Sequence, residues 1–174
     1  MALRQILTEP NATLREKSLP VDRVDEELQI LMNDMLETMY AAPGIGLAAI
    51  QVGVPKRVIV LDISKKDEPK NPMYFVNPEI INKSQNNSTY EEGCLSVPGQ
   101  FAEIVRPDKC YIKYLDYYGK FQEFEAVGML ATCIQHEMDH LEGILFIDHL
   151  SKLKKSMIIK KLSKQKKAIE RIVV

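Results

Sequence analysis

The chain has 174 residues, of which 45% are hydrophobic and 27% charged, a balance that suits one folded domain over residues 1–174 and excludes a disordered polymer. No apolar run approaches the roughly 18 residues of a membrane span, and the first residues lack the apolar core of a secretory signal, so a cytoplasmic address with no membrane partner is expected. The net charge of −1 conceals a basic tail: residues 151–174 carry eight lysines and Arg171 against the single acid Glu170, making the tail +8 and the remainder −9.

In chain order, the first periodic segment is 25–42. Leu28, Leu31, Met32, Met35, Leu36 and Met39 recur there at helical spacing behind a capping Asp25 and the acids Glu26 and Glu27, and Pro43-Gly44 ends the helix. Short strand-like runs follow at 57–63, 73–81, 109–117 and 120–126, the last two forming a hairpin about Gly119. The polar stretches 64–72 and 82–89 read as surface loops. A second helix is predicted over 127–141, bounded by Gly143. Apart from His136, Glu137, Asp139 and His140 it is apolar round most of its circumference, so it belongs in the interior. A third helix fills 151–172, with Ile158, Leu162, Ile169 and Ile172 inward and the lysines outward. Strands and helices do not alternate, which favours an α+β fold.

Chemistry concentrates on the second helix. His136 and His140 lie four residues apart, so they project from one face and can grip one ion at about 2.0–2.1 Å from each nitrogen. Glu137, beside them, can move the proton of a water molecule that the ion acidifies. The competing view is a buried helix whose histidines merely satisfy hydrogen bonds. It leaves charged and polar groups on an apolar helix without a role.

An open metal site needs a third protein ligand. The three cysteines, Cys94, Cys110 and Cys133, are odd in number and widely separated, so they are read as free thiols. Cys133 stands roughly 10 Å along the helix from His140, too far for both histidines and itself to meet one ion, and is read as packing. His149 could fold back, but Phe146 stands where a metzincin-like pattern would place its third histidine. Glu142 and Glu170 sit beside a turn and in the lysine tail. Cys94 remains, in a Glu-Glu-Gly-Cys-Leu-Ser-Val-Pro segment read as a loop, although a lone cysteine is most often a small buried hydrophobe. Elsewhere, Gly44-x-Gly46-x-x-Ala49 imitates a dinucleotide fingerprint, but a predicted helix precedes it and Gly53 and Pro55 follow too soon for a helix to open. No dinucleotide is expected.

Three segments, Gly44-Ile45-Gly46-Leu47-Ala48-Ala49-Ile50-Gln51, Glu92-Gly93-Cys94-Leu95-Ser96 and Gln135-His136-Glu137-Met138-Asp139-His140-Leu141, together resemble peptide deformylase in content, order and separation. The likeness covers residues 10 to about 150. It implies antiparallel β-sheets surrounding a central metal-binding helix, and removal of the formyl group from the N-terminal formyl-methionine of nascent polypeptides. By the same resemblance Cys94, His136 and His140 are the metal ligands and Glu137 is the general base and then acid. The Gln51 amide and the Leu95 N–H would stabilise the oxyanion. Ile45, Gly46 and Gly93 would hold an extended peptide by its backbone, and Ile45, Tyr90, Met129 and Cys133 would receive the methionine side chain. Arg106 and Asp139 would form a buried pair that fixes the helix. One divalent metal ion is implied, Fe(II) in the cell, with zinc, nickel or cobalt able to substitute. The basic C-terminal helix would suit contact with the ribosome near its exit tunnel. Two other functions fit the residues alone. A general metallopeptidase would use a third ligand other than Cys94, and a noncatalytic ribosome-associated protein with structural zinc would need a fourth protein ligand that the sequence does not offer.

Overall fold

The structure, a computed structural model, describes residues 2–172 and the side-chain surroundings of residues up to 168. The inward assignment of Ile169 and Ile172 lies outside the described residues. Asp25 caps α1 (Glu26–Ala41), its side chain accepting the Leu28 N–H at 3.0 Å. Of the predicted stripe, Leu28, Leu31, Met32, Met35 and Met39 are buried and Leu36 is partly buried.

From α1 the chain passes through β1 (Gly46–Ala48), one 3-10 turn (Ala49–Val52) and β2 (Val58–Leu61). All four residues of β2 are buried, and their alternation builds two cores. Val58 and Val60 join Leu28, Met32 and Met35 of α1 on one face. Ile59 and Leu61 join Phe75, Ile112 and Ile134 on the other. β3 (Met73–Lys83) follows, then β4 (Asn87–Cys94), β5 (Val97–Pro107), β6 (Lys109–Leu115) and β7 (Phe121–Val127). One antiparallel sheet runs β1-β2-β3-β6-β7, and β4 pairs with β5 as a separate antiparallel ribbon. The predicted hairpin is β6–β7, its turn fastened by Asp116, which accepts the Tyr118 and Lys120 N–H groups.

α2 (Gly128–Leu141) packs its apolar side, Ala131, Ile134 and Leu141, on the second face of the five-stranded sheet. Its polar side meets the β4–β5 ribbon through Arg106 and Glu92. The ribbon contributes Val97 and Ile104 to a third core with Leu145, Phe146, Ile147 and Leu162, the last on α3 (Lys152–Ile172). Antiparallel strands therefore lie on both sides of α2, in an α+β fold. Among the described residues no helix is long and apolar enough to cross a membrane.

Two sequence expectations are corrected. Residues 82–89 are not a loop throughout: Asn82 and Lys83 end β3, and residues 87–89 begin β4. Likewise Cys94 is the last residue of β4, followed by a tight turn at Leu95-Ser96, not part of an open loop. The physical reason is that the inward positions of β4, Ser88, Tyr90 and Glu92, are themselves polar, so the strand lacks the apolar alternation of an ordinary half-buried strand.

Candidate metal centre and active site

His136 and His140, one turn apart on α2, face Cys94 at the end of β4. Cys94 Sγ lies 3.2 Å from His140 Nε2, and one ligating atom from each of the three residues falls within 4.8 Å of the others. His136 directs Nδ1 at Glu92 Oε2, 2.8 Å away. An ionised carboxylate can only accept, so Nδ1 carries the hydrogen and Nε2 is the nitrogen left for an ion. Glu92 is gripped in turn by Arg106, whose Nε and Nη2 donate to its two oxygens at 2.6 and 3.0 Å while Nη1 donates to Asp139 at 2.8 Å. The Arg106–Asp139 pair thus ties α2 to β5. Although burial opposes ionisation of Glu92, hydrogen bonds from His136 and Arg106 hold its pKa down to about 2.

The local field favours a cation. Burial works against charging His136, yet the Cys94 sulfur and the Glu92 carboxylate, with Glu137 close by, raise its pKa well above the ordinary 6.5. At His140 burial and the neighbouring His136 have the opposite result and keep that ring neutral. A sulfur and two imidazoles form a donor set that suits a divalent transition metal. Among the described residues this is the one such cluster.

Glu137 is 5% exposed, and its Oε2 has no hydrogen-bond partner among the described residues. Burial pushes its pKa up to about 7. Gly46 on β1 passes directly against it: a Cβ there would collide with Glu137 Oε1 and with Leu61. Gln51, in the 3-10 turn after β1, is oriented by the Ala48 N–H, which donates to Oε1 at 2.8 Å. Its Nε2 is thereby directed at Ser96 Oγ, 3.0 Å away, and at Cys94 Sγ, 3.6 Å away.

A cavity of about 480 Å³ opens in front of these groups. Its walls include Cys94, His136, Glu137, Gln51 and Leu95, together with Ile45, Gly46, Gly93, Tyr90, Met129 and Cys133. The structure therefore brings eleven of the twelve residues singled out in the sequence to one cavity, with His140 fully buried next to Cys94. Burial pushes the Cys133 thiol up to about 12, so it presents a neutral surface. Sequence reasoning did not find the clamp of Glu92 on His136, the Ser96 partner of Gln51, or Phe101, whose ring covers Gly93 at the cavity mouth. No strand period marks Glu92 in the sequence, because the inward positions of β4 are polar.

The model of the polypeptide deformylase family matches residues 3–156. A peptide deformylase from Pelagibacter ubique is 67% identical over 174 residues, covering 100% of both chains. The crystal structure of peptide deformylase from Ehrlichia chaffeensis has a TM-score of 0.91 at 41% identity, covering 96% of this chain and 98% of that one. The Ehrlichia chaffeensis peptide deformylase in complex with actinonin also gives 0.91, at 43% identity over 95% and 98% of the two chains.

Proposed function

The chain belongs to the polypeptide deformylase family, and we propose that Cys94, His136 and His140 hold its metal ion while Glu137 moves the protons of the reaction. The protein is a metal-dependent hydrolase that removes the formyl group from the N-terminus of nascent polypeptides. One observation carries the assignment of roles: a buried carboxylate, one oxygen of which has no hydrogen-bond partner among the described residues, stands beside a converged sulfur and two imidazoles, next to one cavity. A divalent cation held there would polarise the formyl carbonyl and acidify the attacking water. The resemblance to the family supports Fe(II) as the ion in the cell, and zinc, nickel and cobalt suit the same donors.

Glu137, with its pKa near 7, is poised to accept the proton of the attacking water and return it to the departing amine nitrogen. The Gln51 amide and the Leu95 backbone N–H stabilise the oxygen that gains charge as the formyl carbon becomes tetrahedral, each worth about 3–4 kcal/mol. The peptide lies extended beside β1, an edge strand of its sheet, and reaches across to Gly93 of β4. Its methionine side chain enters between Ile45, Tyr90, Met129 and Cys133, where the protonated thiol keeps the wall neutral.

The exposed lysines of α3, among them Lys152, Lys154, Lys160, Lys161 and Lys164, support docking on ribosomal RNA, a polyanion that would place the cytoplasmic enzyme where new chains emerge. To test the activity, anaerobically purified protein loaded with Fe(II) or Ni(II) is given a short formyl-methionyl peptide and, separately, casein. Formate release without casein cleavage is expected. Casein fragments, or stoichiometric metal with no formate, would overturn the assignment.

A further inference from the structure

The clamp on His136 does not end at Arg106. Asp139 Oδ2, which accepts from Arg106 Nη1, is also 2.8 Å from His149 Nε2. Because the carboxylate can only accept, His149 Nε2 carries the hydrogen and donates. An unbroken path, His149 to Asp139 to Arg106 to Glu92 to His136, thus joins an exposed ring to Nδ1 of a proposed metal ligand, with every link 3.0 Å or shorter.

The anchor of this path is fixed. His149 ends the 3-10 turn Phe146–His149. The preceding residue, Asp148, is held by Arg15 at 2.5 Å, by Lys155 at 2.5 Å and by the Leu145 N–H at 2.8 Å. Phe146 and Ile147 are buried in the third core. Asp139, by contrast, is partly open to solvent and holds its orientation between two donors, Arg106 and His149.

We propose that His149 is a positioning residue of the metal centre: by holding Asp139 it fixes the plane of Arg106, and through Glu92 the orientation of the His136 ring. The proposal rests on the assignment of His136 as a ligand. It gives a role to the one histidine that the sequence offered as a ligand candidate and the structure sets apart from the cluster. Partners that touch a ligating histidine directly change metal affinity or activity by about 10–100-fold when removed; three residues further out, about 5-fold is expected.

The test compares His149→Phe, which keeps the ring's bulk and loses the donor, with His149→Gln, which keeps a donor. Each protein is loaded with Co(II), and its visible absorption spectrum, the rate of Co(II) release to a chelator, and kcat and KM for formate release are measured. His149→Phe should release Co(II) about 5-fold faster, with a changed spectrum and a lower kcat at unchanged KM, while His149→Gln stays within about 2-fold of the parent. A His149→Phe protein matching the parent in spectrum and release rate would overturn the proposal, as would a His149→Gln protein impaired as much as His149→Phe. A parent that takes up no Co(II) would overturn the metal-centre assignment itself, and the proposal with it.

Discussion

Helices α2 and α3 are both amphipathic, yet they treat charge in opposite ways. α2 buries His136, Glu137 and His140 and joins Asp139 to Arg106. α3 sends most of its charge to solvent, seats Leu162 in the third core and ties Lys155 to Asp148. A buried charge is tolerated only with a partner or a task, whereas an exposed lysine requires neither. Glu92 and His136 have partners; Glu137 has the task proposed for it. Substitutions around α2 should therefore have large effects, and those on the outer face of α3 small ones.

The largest effect on stability is expected at the clamp. Arg106→Leu leaves Glu92 and Asp139 without their guanidinium, and loss of one partner from a buried ion pair destabilises by about 3–5 kcal/mol. Urea unfolding of the variant should show this, and an unchanged midpoint would mean that the buried network is not holding the ribbon to α2.

A smaller effect is expected where α3 joins the body. Burial opposes ionisation of Asp148, but Lys155, the Leu145 N–H and Arg15 outweigh it and lower the pKa below the ordinary 3.8. A carboxyl with a lowered pKa in the folded state stabilises above its unfolded pKa and loses that contribution as pH falls through the folded value. Asp148→Asn should thus reduce Tm by about 3 °C at pH 7, with the gap to the parent closing below pH 3.8. A gap independent of pH would assign the effect to packing. The smallest effect on chemistry belongs to the outer lysines. Changing Lys160, Lys161 and Lys164 together to glutamine should leave formate turnover within about 2-fold, while reducing the salt slope of ribosome binding by about 3. Unchanged sedimentation with ribosomes would remove the polyanion role from α3.

The same contrast explains what could be read from the sequence. α1 and α2 pack against large apolar surfaces, so their 3.6-residue stripes are strong and their boundaries fall within a residue of those predicted. His136, Glu137 and His140 are local to one helix, so the pairing of the two histidines needs no knowledge of tertiary structure. β1 has three residues, too few to show a period. β4 is polar on both sides, with Asn87, Thr89 and Glu91 exposed and Ser88 and Glu92 turned inward, which masked the strand. The clamp that orients His136 joins β4, β5 and α2, and contacts between distant segments leave no periodic trace.

The central claim is that the buried carboxylate of α2 acts on protons while the neighbouring residues hold the metal. Measuring metal content and formate release side by side for the parent and Glu137→Ala tests it most directly. The variant should keep one metal ion per chain and lose about 10²–10⁴-fold in kcat. Full turnover without Glu137, or loss of the metal together with turnover, would contradict it.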